Sequence, residues 1–175
     1  RNHQFLGVNR AVQAVREREA REGRLGVFWH TQGAGKSYSM VFFTRKVHRK
    51  LGGNFTFLIL TDRDDLDTQI YKTFAGCRVV DNDKDPCRAS SGEHLKAMLG
   101  EHKGHVFSLI QKFNQEVDPR DPYSPRDDLI VIRLLDRRLS GLKRLDQRVD
   151  ALTLGLIGLD LVRRSGSLTT FPPDM

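Results

Sequence analysis

A glycine-rich loop between an apolar run and a helix-like segment constrains this chain more than any other feature. The apolar run of residues 25–29 leads into the loop, and a segment with helical periodicity begins at Lys36. Strand, glycine-rich loop, Lys-Ser and helix, in that order, predict a phosphate-binding loop. Its glycines let several N–H groups point into one small space, and the helix N-terminus adds its own. The loop reads Trp29-His30-Thr31-Gln32-Gly33-Ala34-Gly35-Lys36-Ser37.

The two residues after the last loop glycine have the side-chain chemistry that a nucleotide with Mg²⁺ requires. Lys36 is predicted to reach the β- and γ-phosphates as a point charge, and Ser37 to offer its hydroxyl to Mg²⁺. The usual first glycine of the pattern is replaced by His30, as is common in helicase-type loops. The alternative is a glycine-rich turn that binds nothing. The predicted nucleotide-binding residues of the loop are Gln32, Gly33, Ala34, Gly35, Lys36 and Ser37, of which Gln32 has no separate role.

Apolar runs alternate with helical patterns over the first 132 residues, which predicts an α/β fold with a parallel sheet. A polar cluster, residues 61–69, follows one predicted strand at the end where such folds place ligand contacts. Asp64 or Asp65 is expected to cap the next helix, and capping alone is the other explanation of the cluster. The expected helices are residues 3–21, 36–51, 66–75 and 91–99, and the expected strands are 25–29, 55–60, 77–80, 105–110 and 129–132.

Composition and charge limit the class of protein. Of the 175 residues, the first 50 carry 11 basic and 3 acidic side chains, within a net charge of +7 for the chain. This basic front, residues 1–50, suits a phosphate-rich partner. For the basic residues within 16–24, a solvated helix face is the alternative explanation. No apolar run approaches the roughly 18 residues of a membrane span, so no membrane association is expected. Two cysteines without a disulfide framework favour a reducing cytoplasm.

The histidines do not predict a metal site. His94, His102 and His105 fall on an expected helix, an expected loop and an expected strand. None of them has a cysteine or a carboxylate at ligand spacing. The chain also begins with Arg1 rather than with Met, and we therefore expect it to be a piece of something longer.

Four segments in one order resemble the motor of the restriction (R) subunit of type I restriction-modification enzymes, a superfamily 2 helicase-like translocase. The resemblance covers residues 1–132. It implies a three-layer, RecA-like phosphate-loop NTPase sheet, incomplete here, with residues 1–132 as the N-terminal part of the ATPase lobe. The segments are Arg1-Asn2-His3-Gln4, His30 to Ser37, Leu60 to Gln69, and Ser108-Leu109-Ile110-Gln111-Lys112-Phe113.

The resemblance also implies roles for individual residues, with ATP and Mg²⁺ as cofactors. Gln4 matches the upstream glutamine that reads adenine, since an amide can pair with both N6 and N7 of that base. Arg63 matches the first DNA-contacting motif, where cationic and N–H groups hold a phosphate backbone without reading sequence. Gln111 and Lys112 match a later segment on the same DNA-facing side. The implied partners are double-stranded DNA and the modification and specificity subunits of the restriction complex.

The chain departs from the family after Ile132. In the family an Asp-Glu-Ala-His box follows the strand that matches residues 129–132, and its carboxylates hold Mg²⁺ and orient the attacking water. Here the next residues are Arg133-Leu134-Leu135-Asp136-Arg137-Arg138. No catalytic residue is therefore assigned with certainty, and we expect the chain to bind nucleotide but to hydrolyse it poorly.

Residues 133–175 form an atypical tail rich in leucine and arginine. Leucine and valine recur three and four residues apart in a coiled-coil-like seam, which Gly155 and Gly158 interrupt. The sequence therefore predicts a helical or disordered tail. One explanation is an out-of-frame or rearranged ending of the gene. The other is a true helical segment that packs on the sheet or on a partner. The seam residues are Leu142, Leu145, Val149, Leu152, Leu156 and Leu159.

Two other functions fit parts of the sequence. The basic front and the leucine seam would suit a non-catalytic module that binds DNA or a protein partner. The loop alone would suit an unrelated phosphate-loop NTPase or small kinase, although the sequence shows no separate acceptor site or lid. The type I restriction motor agrees with more of the chain than either alternative.

Overall fold

The computed structural model describes residues 2–31, 33–80, 87–112, 124, 126–136 and 157–164. Helices and strands alternate along the chain, as the apolar pattern predicts. The helices are α1 (Asn2–Arg16), α2 (Lys36–Leu51), α3 (Asp64–Gly76) and α4 (Gly92–Gly100), with a 3₁₀ turn at Ile110–Lys112. The strands are β1 (Arg24–Thr31), β2 (Thr56–Thr61), β3 (His105–Leu109), β4 (Leu129–Asp136) and β5 (Ile157–Arg164).

The five strands form one parallel sheet in the order β1-β5-β4-β2-β3. Its register places Val27 of β1, Asp160 of β5, Arg133 of β4 and Leu60 of β2 in one row across the sheet. Because all strands are parallel, their carboxyl ends lie at one edge, where open α/β sheets bind ligands. The loop that follows β1 and the start of α3 after β2 both begin at that edge.

Helices cover both faces of the sheet. On one face α1, α2 and α3 pack against alternate strand residues such as Phe57, Ile59 and Ile132. On the other face α4 packs against the intervening residues, including Leu58 and Val131. This alternation explains why all six residues of β2 are buried. The predicted α/β fold class, a partial RecA-like domain with a parallel sheet and helices on both faces, is confirmed.

Two helical stretches end at a non-glycine residue with positive φ, where glycine is the usual signal. The helix predicted for residues 3–21 ends at Arg16, and successive turns then run to a Schellman-type ending in which the N–H of Gly23 donates to the carbonyl of Arg18. Glu22 has φ 50° there. Helix α3 ends in the same way, with Val79 donating to Phe74.

The predictions of a strand at residues 77–80 and of an aspartate cap for α3 were wrong. Arg78 has φ 53° and its N–H donates to the carbonyl of Ala75, so these residues close the helix instead of extending. The N-cap of α3 is Arg63, without a side-chain cap, and the two aspartates lie in the first helical turn. There they favour the helix through its dipole.

The tail prediction was wrong for residues 157–164. These residues, which include Leu159 at the end of the leucine seam, form β5 and not a helix. β5 pairs with β1 on one side and with β4 on the other, so both of its edges have hydrogen-bonded neighbours. Gly158 disfavours a helix at this point. The rest of the seam, at residues 142–156, lies outside the described residues.

Candidate functional site

Two glycines of the loop after β1 have left-handed backbone, which a tight glycine-rich turn uses. Gly33 has φ 77° and Gly35 has φ 81°, values that an L-amino acid rarely adopts. Gly35 is the N-cap of α2, and Lys36 and Ser37 are the first two residues of that helix, both half-buried. The first turn of α2 contains no acidic residue. The positive end of the helix dipole is therefore not offset by a carboxylate within its own first turn.

The first turn of α1 contacts this loop directly. The side-chain amide of Gln4 donates to the carbonyl of Gly35 over 3.1 Å. His3 Nε2 lies 3.4 Å from the carbonyl oxygen of Ala34. A Cβ at Gly35 would lie 2.7 Å from the Gln4 nitrogen, so the approach depends on glycine. The structure thus brings the residue predicted to read the base together with the residues predicted to bind phosphates.

The residues predicted to contact DNA meet at the carboxyl edge of β2 and β3. Arg63 precedes α3, with its side chain 47% exposed and an ion pair of 3.4 Å to Asp65. Gln111 and Lys112, by contrast, both donate to backbone carbonyls, the first to Asp62 over 2.6 Å and the second to Ala89. Arg63 is accordingly presented outward, while these two neighbours tie parts of the protein together.

Arg88 belongs to the same edge but was missed by the sequence interpretation. It donates from Nε and Nη2 to Asp67 Oδ2, over 2.9 and 2.6 Å, and from Nη2 to the Thr68 hydroxyl over 3.2 Å. Its guanidinium lies 5.6 Å from the ring centroid of Tyr71. Residues 81–91 read as an exposed turn, and nothing local indicates that Arg88 meets a carboxylate 21 positions earlier.

The end of β4 differs from the predicted strand of residues 129–132. β4 continues to Asp136, and Arg133 occupies the position where the resemblance would place the first aspartate of the missing box. Arg133 is 8% exposed. Asp136 pairs in register with Arg163 of β5, which in turn pairs with His30 of β1. β4 therefore ends at Asp136 in the same row of the sheet as His30, where the glycine-rich loop begins.

Histidines of the described residues take part in internal contacts. His94 Nδ1 lies 2.8 Å from the hydroxyl of Ser90. His105 is stacked on Phe57, with ring centroids 5.4 Å apart and an interplanar angle of 20°. Burial, and secondly the nearby His48, lower the pKa of His105 to about 3. Within the part of the chain that the structure describes, no group of three or more His, Cys, Asp or Glu could hold a metal ion.

Gln32 and Arg1 lie outside the described residues. Among the described helices, none combines the length and the hydropathy that crossing a lipid bilayer requires.

The fold and the loop define an α/β domain of the RecA-like class, with a glycine-rich loop between β1 and α2. The chain belongs to the SWI2/SNF2 ATPase family, whose pattern matches residues 3–136. It is 36% identical over 137 residues to the type I restriction enzyme HindI endonuclease subunit of Haemophilus influenzae, covering 74% of this chain and 13% of that protein. It is 34% identical over 130 residues to the putative type I restriction enzyme MjaIXP endonuclease subunit of Methanocaldococcus jannaschii, covering 71% and 12%.

These comparisons confirm the resemblance that the sequence motifs indicate. The chain spans about an eighth of the length of the two relatives. The activity, substrates and partners of a whole enzyme are therefore proposals for this chain.

Proposed function

We propose that this chain is the ATP-binding part of the DNA-translocating motor of a type I restriction enzyme's R subunit. The observation that carries the proposal is the contact between Gln4 and the carbonyl of Gly35. It brings the amide that would read the base into contact with a glycine-rich loop, suited to phosphate, whose glycines have positive φ. The similarity to two type I restriction endonuclease subunits supports the same function. In the intact enzyme, hydrolysis of ATP would drive duplex DNA toward cleavage.

The residues present fit ATP with Mg²⁺. The first turn of α2 has no competing carboxylate, and the cradle between Gln4 and Gly35 would be filled by any Cβ at position 35. Lys36 would neutralise charge on the β- and γ-phosphates, and the Ser37 hydroxyl would be a ligand of the metal ion. Bound Mg²⁺ would offset the charge that develops on the phosphate oxygens. Gln4 would orient the adenine by pairing with its N6 and N7.

Hydrolysis by this chain is expected to be weak. In the family, one carboxylate of the box holds Mg²⁺ and the other orients the attacking water. The position expected for the first carboxylate holds Arg133, which is 8% exposed and lies within the sheet. A cation at this position cannot replace a metal-binding aspartate. We therefore propose nucleotide binding with little or no turnover.

The proposed DNA contact is made by Arg63 and the start of α3. Arg63 is exposed at the carboxyl edge of the sheet, and backbone N–H groups of the first turn of α3 lie beside it. Such groups hold a phosphate backbone and do not read bases. The modification and specificity subunits of a restriction complex are the further proposed partners, and the cytoplasm is the proposed compartment. DNA sequence specificity would then come from another subunit.

Equilibrium binding of ATP with Mg²⁺ to the purified 175-residue chain tests the proposal. We expect binding that Lys36→Ala weakens at least tenfold, because a buried charge–phosphate contact is worth more than about 1.4 kcal/mol. Lys50→Ala, at the exposed far end of α2, is the matched control and should bind as the unaltered chain does. Equal binding by both variants would contradict the assignment of the loop.

The same preparation tests the limit on hydrolysis. ATP turnover should stay near the background rate with and without duplex DNA. DNA-stimulated turnover that disappears in Lys36→Ala would show that the missing carboxylate pair is not needed here. Salt-dependent DNA binding that ignores both ATP and Lys36→Ala would instead favour a non-catalytic DNA-binding module.

A further inference from the structure

We infer that Arg88 is a positioning residue for the DNA contact at Arg63, and that it acts by holding the first turn of α3 against the edge of β3. This inference rests on the proposed function, because it deepens the assignment of the Arg63 edge to DNA. It gives a role to a residue that neither the sequence motifs nor the comparisons point to. Its basis is a closed ring of contacts that joins the start of α3, the extended segment beside β3 and the 3₁₀ turn after β3.

The contacts of Arg88 fasten it to α3 at several points. Two of its nitrogens bind one carboxylate oxygen of Asp67, and one of them also binds the hydroxyl of Thr68. Asp64, in the first turn of α3, lies 3.6 Å from Nη2. Tyr71, one turn further along, places its ring under the guanidinium. These contacts span two turns of α3, so the helix cannot turn or shift without breaking them.

The segment that carries Arg88 is itself fixed to the sheet. Phe107 of β3 donates to the carbonyl of Cys87 over 2.7 Å and accepts from the N–H of Ala89 over 2.9 Å. These bonds make Arg88 a parallel bridge partner of Phe107. The ammonium of Lys112, in the turn after β3, donates to the carbonyl of Ala89. Arg88 therefore projects from an extended, strand-like segment whose residues before and after Arg88 are both hydrogen-bonded to β3.

Gln111 closes the ring on the other side. Its amide donates over 2.6 Å to the carbonyl of Asp62, the residue immediately before Arg63. The 3₁₀ turn at residues 110–112 thus holds both the backbone that leads into α3 and the segment that carries Arg88. Arg63 lies between these two attachments. Gln111 and Lys112 accordingly act as parts of the frame.

The burial of Asp67 explains why the frame depends on a cation. The side chain of Asp67 is only 5% exposed, and its Oδ1 has no hydrogen-bond partner among the described residues. A buried carboxylate is strongly unfavourable unless a positive charge and hydrogen bonds compensate it. Arg88 provides both. Without Arg88 the first turns of α3 would have to move so that water reaches Asp67, and Arg63 would move with them.

DNA binding by the full 175-residue chain, titrated with salt, distinguishes positioning from direct contact. The variants are Arg88→Gln and Asp67→Asn, with Arg63→Gln as the direct-contact reference. Arg21→Gln, which also removes an exposed arginine paired to a carboxylate, is the control for net charge. We expect Arg88→Gln and Asp67→Asn each to weaken binding about tenfold. We expect neither to change the slope of log K against log salt, while Arg63→Gln reduces that slope by about 0.9.

A direct contact between Arg88 and a DNA phosphate predicts different changes in the salt slope and in the affinity. Arg88→Gln would then lower the salt slope by about 0.9, and Asp67→Asn would tighten DNA binding by freeing the guanidinium. Either result would overturn the inference. Equal effects of Arg88→Gln and Arg21→Gln would overturn it as well, because the loss of binding would then follow net charge alone.

Amide hydrogen exchange tests the role of Arg88 without requiring that the chain binds DNA. If the unaltered chain does not bind DNA, the DNA part of the proposed function fails, and amide hydrogen exchange decides the role of Arg88. We expect Arg88→Gln to speed exchange at the N–H of Asp67, which bonds to the carbonyl of Arg63 over 3.0 Å. Exchange in α2 should not change. Unchanged exchange in the first turn of α3 would show that Arg88 does not hold it.

Discussion

Replacing Gly35 by alanine tests whether the glycine-rich loop is fitted to the first turn of α1. Gly35 has φ 81°, and a Cβ there would lie 2.7 Å from Gln4 Nε2. Gly33, two residues earlier, has φ 77° and no atom within 4 Å of a Cβ. The two variants Gly35→Ala and Gly33→Ala therefore share the backbone strain and differ in the collision with Gln4.

The structure gives an expected magnitude for each variant. A left-handed conformation costs an L-residue about 1 to 2 kcal/mol, which is the full effect expected for Gly33→Ala. Gly35→Ala also displaces the Gln4 amide from its bond to the loop carbonyl, which adds about 1 kcal/mol. With a urea m-value of about 2 kcal/mol/M, the unfolding midpoint should fall by about 0.5 to 1 M for Gly33→Ala. For Gly35→Ala it should fall by about 1 to 1.5 M.

Urea unfolding followed by circular dichroism, with a double-mutant cycle, is the assay. In a Gln4→Ala background the collision is gone, so the cost of Gly35→Ala should drop to that of Gly33→Ala. Binding of ATP should weaken in both glycine variants because the loop N–H groups move. Equal costs for the two variants in the unaltered chain would refute the fit between α1 and the loop. So would a cost of Gly35→Ala that does not depend on Gln4.

Two further predictions concern the core. A Cβ on Gly7 of α1 would lie 2.0 Å from the ring of Phe28, so Gly7→Ala should lower the free energy of unfolding by about 1 to 3 kcal/mol. Gly76→Ala is the control, because a Cβ there would meet open space, and it should be neutral or stabilising. A stabilising Gly7→Ala would contradict this packing. Because the pKa of His105 is about 3 in the fold and 6.5 ordinarily, the unfolded chain binds the proton first. The penalty from His105 is therefore absent at about pH 8, and the free energy of unfolding is lower by about 1.4 kcal/mol at pH 5.5. His105→Gln should remove this loss from urea midpoints measured at both pH values, and a midpoint that varies equally in both proteins would contradict it.

The features that the sequence predicts well are local or carried by a family motif. The glycine-rich loop between a strand and a helix involves only nine consecutive residues, and the buried strand at residues 55–60 involves only six, so both could be predicted directly. Gln4 could be paired with the loop only through the resemblance, since the two lie 31 positions apart. The structure brings them into contact. Their binding of nucleotide stays a prediction.

The features that the sequence did not predict depend on tertiary contacts or on unusual backbone. Glu22 and Arg78 adopt positive φ at helix ends where glycine is the usual signal, so the end of one helix was placed too late and a strand was expected after another. Arg88 meets Asp67 only because an extended segment docks on β3. Residues 157–164 were expected to be helical or disordered because Leu159 continues the spacing of the leucine seam, and only the pairing of β5 with β1 and β4 overrides it.

The position of β5 between β1 and β4 has a consequence for synthesis on the ribosome. Phe28 of β1 pairs with Leu161 of β5, which is 133 residues further along the chain. At a typical elongation rate of about 5 to 20 residues per second, that partner is made about 7 to 27 s later. By contrast, β3 and β4 can both pair with β2 once the chain has reached residue 136. β1 is therefore the first of the described strands to be made and the last to find its neighbour in the described sheet. During that interval Leu25 and Phe28 depend on packing against α1 and α2 for cover.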